Sequence, residues 1–227
     1  MNNPTGSDNV QSSRYILYGG KPTRAMITQM VLAEGEIDYE LRELDIYRDE
    51  HRSPEFLAIN PAGWIPVLIT PEGERLYETP GINLYLIETH HLDQLAPLPG
   101  DPQRGAFFNG LFYITGEIEP ALKRLWYAHR YANGESDAEI VQKRAMDYIH
   151  ECLNIIERHL ANTGPYYLGE RYSLVDLMTV YWSSSLGEPL SEQTYPCLCK
   201  LNMLVRTRPA ITDLFEVHRQ WELEDEH

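Results

Sequence analysis

The stretch from Asn60 to Leu86, NPAGWIPVLITPEGERLYETPGINLYL, constrains this chain more than any other. Asn60, Pro61 and Gly63 are turn formers, and Ile65, Val67 and Ile69 then alternate as the inward residues of a half-buried strand. Pro66 sits just inside that strand and donates no ladder hydrogen bond, so it belongs at a sheet edge, a strand start or a cis turn. Pro71-Glu72-Gly73-Glu74 reads as a hairpin turn joining a strand at 65–70 to a short one at 75–77. A helix follows at once, with Thr79 as N-cap, Pro80 in the first turn and an apolar stripe of Ile82, Tyr85 and Leu86. Glu78 and Thr79 therefore stand where a strand hands over to a helix N-terminus, whose free N–H groups and positive dipole end suit a carboxylate. Such a surface is built to hold an extended, peptide-like ligand.

The segments on either side predict two domains. Residues 1–13 are polar and turn-rich and read as a disordered leader. Tyr15 to Tyr18 is a short β-type run, a helix is expected over 23–34 with Gly35 closing it, and 39–46 is a second strand with interleaved charges. With a short helix at 54–58, the order β-α-β, α, β-β-α gives one mixed sheet with helices on its faces, over 14–91. The Pro-, Gly- and Asp-rich segment 92–103 is the linker.

From 104 to 220 the β pattern disappears and an all-helical domain is expected. A long helix over 104–131 carries Phe107, Leu111, Ile114 and Ile118, with a bend at Pro120. Ser136-Asp137-Ala138-Glu139 reads as a capping box opening a helix to about 161, and Ser173 to Asp176 as a second such start. Shorter helices follow at 198–206 and 209–219, and the acidic tail 221–227 reads as mobile.

A net charge of -15 leaves no basic footprint for nucleic acid or an anionic membrane. No apolar run reaches membrane-spanning length and no signal-peptide layout opens the chain, so a cytoplasmic location is expected. Cys152, Cys197 and Cys199 are too few for a disulfide framework, and Cys197-x-Cys199 lacks further ligands, so no metal is expected.

The pattern N-P-x-G-x-hydrophobic-P-x-L, followed by Glu-Thr and a helix, resembles the glutathione-binding half of the glutathione transferase family. The resemblance implies an α+β fold: a thioredoxin-like domain with a mixed four-stranded sheet, then an all-helical C-terminal domain. It further implies a cis bond between Ile65 and Pro66, with the Ile65 backbone pairing with the cysteinyl unit of glutathione. Glu78 and Thr79 would hold the γ-glutamyl amine and carboxylate, and His51 the glycyl carboxylate. Where many members carry Lys, this chain has Trp64, and Arg24 is a candidate replacement. The Ser173 to Asp176 stretch resembles the structural capping box of the second domain, so Asp176 is not read as catalytic.

By the same resemblance glutathione is a co-substrate whose thiol is activated, with no metal required. A free thiol has a pKa near ~8.5. One hydrogen bond to the thiolate, at roughly 1.5 to 3 kcal/mol, lowers that by about one to two units. The opening spacing of Leu17-Tyr18-Gly19 resembles the bacterial pattern in which the active hydroxyl falls on Thr23, at the start of the first helix. Tyr18, at the end of the first strand, is the rival, and Thr23 as a plain cap with Tyr18 as packing is the third possibility. Tyr113, Trp126 and Tyr127 are expected to line a second-substrate site suited to a flat, apolar electrophile. The function implied is a glutathione S-transferase acting on a small electrophile, peroxide or disulfide, as a homodimer; the alternative is a non-catalytic binding or regulatory protein on the same fold.

Overall fold

The structure is a computed structural model and describes residues 14–20, 23–186 and 190–216. The expected leader at 1–13, the tail at 221–227 and the end of the last helix lie outside the described residues.

The first domain is the expected mixed sheet. Strand β1 (Tyr15–Gly19), helix α1 (Ala25–Glu34) and strand β2 (Tyr39–Glu43) form a parallel crossover, and β3 (Val67–Ile69) and β4 (Arg75–Leu76) close as an antiparallel pair, in the order β2-β1-β3-β4. Strand β1 is buried throughout because both its faces are covered. Tyr15 and Leu17 join the main core with Met26, Ile27 and Met30 of α1, whereas Ile16 and Tyr18 point to a smaller core with Phe56, Ile65 and Val67. The one-residue alternation of a strand thus sends Tyr18 away from α1.

Several element ends differ from expectation. Strand β3 starts at Val67 rather than Ile65, since Pro66 has no N–H to give to a ladder. Helix α2 (Pro54–Leu57) is a single turn capped by Ser53, whose Oγ accepts the Phe56 N–H at 3.2 Å. Helix α3 (Thr79–Thr89) takes Glu78, not Thr79, as its cap: Glu78 makes the turn out of β4 with φ 64°, so helical geometry begins at Thr79.

The second domain is all-helical. The expected helix over 104–131 is instead α4 (Arg104–Tyr113), a π-helical segment Ile114–Ile118, α5 (Glu119–Trp126) and a 3₁₀ turn Ala128–Arg130. The disruption precedes Pro120 because a proline clashes with the carbonyl four residues back, and a widened turn makes room for its ring. Helix α6 (Glu135–Thr163) starts one residue before Ser136 with Gly134 as its cap, so the expected box at 136–139 lies inside the helix and does not cap it. Helices α7 (Leu174–Ser183) and α8 (Pro196–Arg206) complete the bundle, and residues 212–216 are helical.

The second capping box forms as expected. Asp176 is fully buried at N3 of α7, where Oδ2 accepts the Ser173 N–H at 2.8 Å and Oδ1 accepts the Tyr167 N–H at 2.7 Å. The linker is fastened to this domain: Arg171 bonds Asp101 at 2.7 Å and the Asp93 carbonyl at 2.8 Å. Among the described residues no helix is long and apolar enough to cross a membrane.

Candidate functional site

The domains meet around a cavity of about 1250 Å³. Three sequence-local devices shape its first-domain wall. Asn60 folds the turn ahead of Pro66 from within: its Oδ1 accepts the Ala62 N–H at 3.1 Å and its Nδ2 donates to the Trp64 carbonyl at 2.8 Å. Gly63, at φ 63°, runs so close to Arg52 that a Cβ there would stand 2.6 Å from the guanidinium. The Ile65-Pro66 peptide is cis, which presents the Ile65 backbone to the cavity.

Thr23 lines this cavity and is 7% exposed. Its Oγ1 accepts the Ala25 N–H at 3.4 Å, in the first turn leading into α1. That contact uses the oxygen as an acceptor and leaves the hydroxyl proton for a partner in the cavity.

The next residue ties the two walls together. Arg24 donates through Nε to the Ile65 carbonyl at 3.0 Å and through Nη1 to Glu119 of α5. Glu119 is buried and also accepts from Lys123 at 2.9 Å. A carboxylate of the second domain therefore holds the guanidinium that spans the Thr23 and Ile65 loops. Arg24 lines the cavity with its Nε and Nη1 already bonded across the two walls.

Tyr18 is placed elsewhere. It does not line the cavity, its ring lies 5.6 Å from Phe56, and its hydroxyl accepts from Arg42 at 2.8 Å. His51 does line the cavity, with its pKa pushed down by burial and by neighbouring Arg52, and its Nδ1 is buried without a partner among the described residues. Glu78 and Thr79 are not among the residues that line the cavity; the Thr79 hydroxyl is buried and has no partner among the described residues.

On the second-domain side, Trp126 and Tyr127 line the cavity as expected, and Tyr113 does not. Tyr113 faces a separate groove with Glu117 and His159 and directs its hydroxyl at the Cys152 carbonyl, 3.5 Å away. The π-helical segment separates it from the turns that reach the cavity. Sequence reasoning missed Tyr181, Trp182 and Arg206 of α7 and α8, which complete the wall; Trp126 and Trp182 pair with ring centroids 6.1 Å apart. The one signal for them was the run of small polar residues, Ser183 to Ser185, directly after two aromatics.

Residues 24–89 match the family model described as "Glutathione S-transferase, N-terminal domain", and residues 121–216 the one described as "Glutathione S-transferase, C-terminal domain". The chain belongs to the glutathione S-transferase family. A maleylacetoacetate isomerase of Pseudomonas aeruginosa is 29% identical to this transferase-family chain over 196 residues, covering 84% of the chain and 90% of the isomerase. Among solved structures, a glutathione transferase homologue from Sulfitobacter with bound glutathione superposes with a TM-score of 0.82 at 22% identity, over 90% of this chain and 98% of the other. The nitrogen regulation fragment of the yeast prion protein Ure2p superposes with a TM-score of 0.76 at 22% identity, over 88% and 94%. These two likenesses are of fold.

Among the described residues no group of three His, Cys, Asp or Glu side chains is placed to hold a metal ion, and all three cysteines are free thiols. Burial raises the pKa of Cys199, which lines the cavity, so it is a thiol rather than a thiolate at neutral pH.

Proposed function

We propose that this chain is a glutathione transferase in which the Thr23 hydroxyl donates a hydrogen bond to the glutathione thiolate. The observation that carries the reading is the Thr23 geometry: the oxygen accepts from the Ala25 N–H, the residue lines the cavity, and the rival Tyr18 does not. A donor of this kind, at a helix N-terminus, favours the ionised thiol by roughly 1.5 to 3 kcal/mol. No general base is needed, because the thiol proton leaves to solvent.

The rest of glutathione follows the same wall. The Ile65 N–H pairs with the cysteinyl unit, while the Ile65 carbonyl is shared with Arg24. Glu78 and Thr79 take the γ-glutamyl end at the start of α3. His51, with its lowered pKa, offers a neutral N–H to the glycyl end rather than a charge.

The bound thiolate would attack the electrophilic carbon of a second substrate held against Trp126, Tyr127 and Trp182. The isomerase relative fits the same chemistry, since a thiolate that adds to a conjugated double bond and is later eliminated permits rotation in between. A homodimer and a cytoplasmic location remain part of the reading; a mass by light scattering that stays monomeric at every concentration would remove the dimer.

The test is the ultraviolet absorbance of thiolate as glutathione is titrated into the protein at neutral pH. Thiolate is expected with the wild type and is expected to vanish in Thr23→Ala. Glutathione binding without thiolate would favour the non-catalytic reading, to which the fold shared with a nitrogen regulation protein lends support.

A further inference from the structure

We propose that Arg130 seats a carboxylate of the second substrate, so that this site takes a flat, conjugated acid rather than a neutral apolar electrophile. The proposal rests on the reading above for what happens to that acid, but not for its binding.

The chain carries a net charge of -15, yet the cavity wall is locally inverted: Arg24, Lys123, Arg130 and Arg206 line it, against Asp49 and Glu192. These cations are not equivalent. Arg24 and Lys123 share the buried Glu119 carboxylate, and Arg206 bonds Ser184 at 2.8 Å. Arg130 has no acidic partner within salt-bridge distance among the described residues, and its contacts are with rings. Its guanidinium carbon lies 4.2 Å from the centroid of Tyr127 and 5.9 Å from that of Trp64.

Stacking matters for chemistry. A guanidinium laid on an aromatic face keeps its in-plane N–H donors at its edge, where they match the two oxygens of a carboxylate. Trp64 also draws in Arg52 at 5.1 Å and Lys123 at 6.0 Å. Three like charges around one indole repel one another, and an anion arriving among them relieves that repulsion. The effect of Arg130 extends to His51, whose pKa it helps to depress.

The placement favours the second substrate over the glycyl end of glutathione. Arg130 belongs to the second domain, in the turn that directly follows Trp126 and Tyr127. The rings of Trp126 and Trp182, inclined at 33°, belong to the wall of the same cavity, with Trp126 the exposed one of the pair. A planar acid lying on that wall would bring its carboxylate to Arg130 at the exposed rim.

The experiment is calorimetric and needs no turnover. Binding of trans-cinnamate and of cinnamamide, which differ in charge and not in shape, would be compared in the full-length wild type and in Arg130→Gln and Arg130→Lys, with and without saturating S-methylglutathione. Cinnamate is expected to bind about ten-fold or more tightly than the amide in the wild type. That preference should fall below about three-fold in Arg130→Gln, persist in part in Arg130→Lys, and survive S-methylglutathione. Equal affinities in the wild type, or a preference unchanged in Arg130→Gln, would overturn the proposal. Loss of the preference when S-methylglutathione is present would overturn it too, by giving the seat to the glycyl carboxylate. An Arg130-dependent preference in a protein that binds no S-methylglutathione would uphold this seat while sinking the glutathione reading.

Discussion

Arg208 grips Glu34 across the domain interface: Nε and Nη2 donate to the two carboxylate oxygens at 2.5 and 2.8 Å, with the guanidinium 3.7 Å from the centroid of the Tyr172 ring. Glu34 ends α1 and Arg208 follows α8, so this bidentate pair joins the helix that Thr23 leads into to the far end of the bundle. Removing one partner of this partly buried pair strands the other, at about 1 to 3 kcal/mol. Arg208→Ala should therefore lower the unfolding free energy by about that amount, and Arg208→Lys should restore only part of it for want of the planar fork. Chemical denaturation of the two variants checks both.

Glu119→Gln should act on the site rather than only on the fold. It leaves Arg24 and Lys123 without their shared carboxylate, so the guanidinium that spans the Thr23 and Ile65 loops loses its anchor. The Michaelis constant for glutathione is expected to rise several-fold, with a stability loss of about 2 to 4 kcal/mol. Unchanged affinity for glutathione would show that the Ile65 loop holds its shape alone.

Tyr18→Phe and Thr23→Ser separate the two hydroxyls. Tyr18→Phe removes the acceptor for Arg42 and should cost about 1 kcal/mol of stability while leaving kcat/KM within about two-fold. Thr23→Ser keeps the donor and should keep most activity, whereas Thr23→Ala should lose about ten-fold or more. Steady-state kinetics at fixed pH read out the pair.

Burial raises the pKa of Asp176 in the folded state from 3.8 to about 7. The folded chain then holds this proton more tightly than the unfolded chain. The associated stability is fully present below the unfolded pKa and is lost as the pH rises through about 7. Asp176→Asn cannot titrate, so the unfolding free energy of the wild type relative to this variant should fall between about pH 4 and about pH 8. A difference that stays flat would mean that the hydrogen bonds from Ser173 and Tyr167 hold the group ionised throughout.

What was legible in the sequence was local. The turn of Asn60 to Gly63 and the box of Ser173 and Asp176 are each set by residues within four positions, so spacing exposed them, whereas it left Pro66 three placements among which the resemblance chose the cis bond. Thr23 came from the resemblance of the Leu17-Tyr18-Gly19 spacing to the bacterial pattern, and the structure adds its place on the cavity wall. The alternation of β1 also held the information that Tyr18 and Leu17 face opposite sides, but which face meets α1 is fixed only once the sheet is packed.

The cavity's other wall was not legible. Arg24 and Glu119 are 95 residues apart, and neither shows its partner in sequence. Trp182 is almost wholly buried and reads as ordinary core in a helix that is apolar all round. Tyr113 and Trp126 both looked like inward aromatics of one continuous helix, an assumption that the π-helical segment breaks.

That segment also sets an angular phase. Each residue advances a side chain by about 100° around a helix axis, so one residue more or fewer between Tyr113 and Glu119 turns everything beyond it by more than a quarter of a circle. Glu119, Lys123 and Trp126 fall on one face of α5, the helix that the wide turn at Ile114–Ile118 leads into, and Arg130 follows in the next turn. The clasp on Arg24 and the Trp126 side of the aromatic wall are thus indexed together by a single offset in the backbone, and a one-residue deletion there would swing both out of alignment at once.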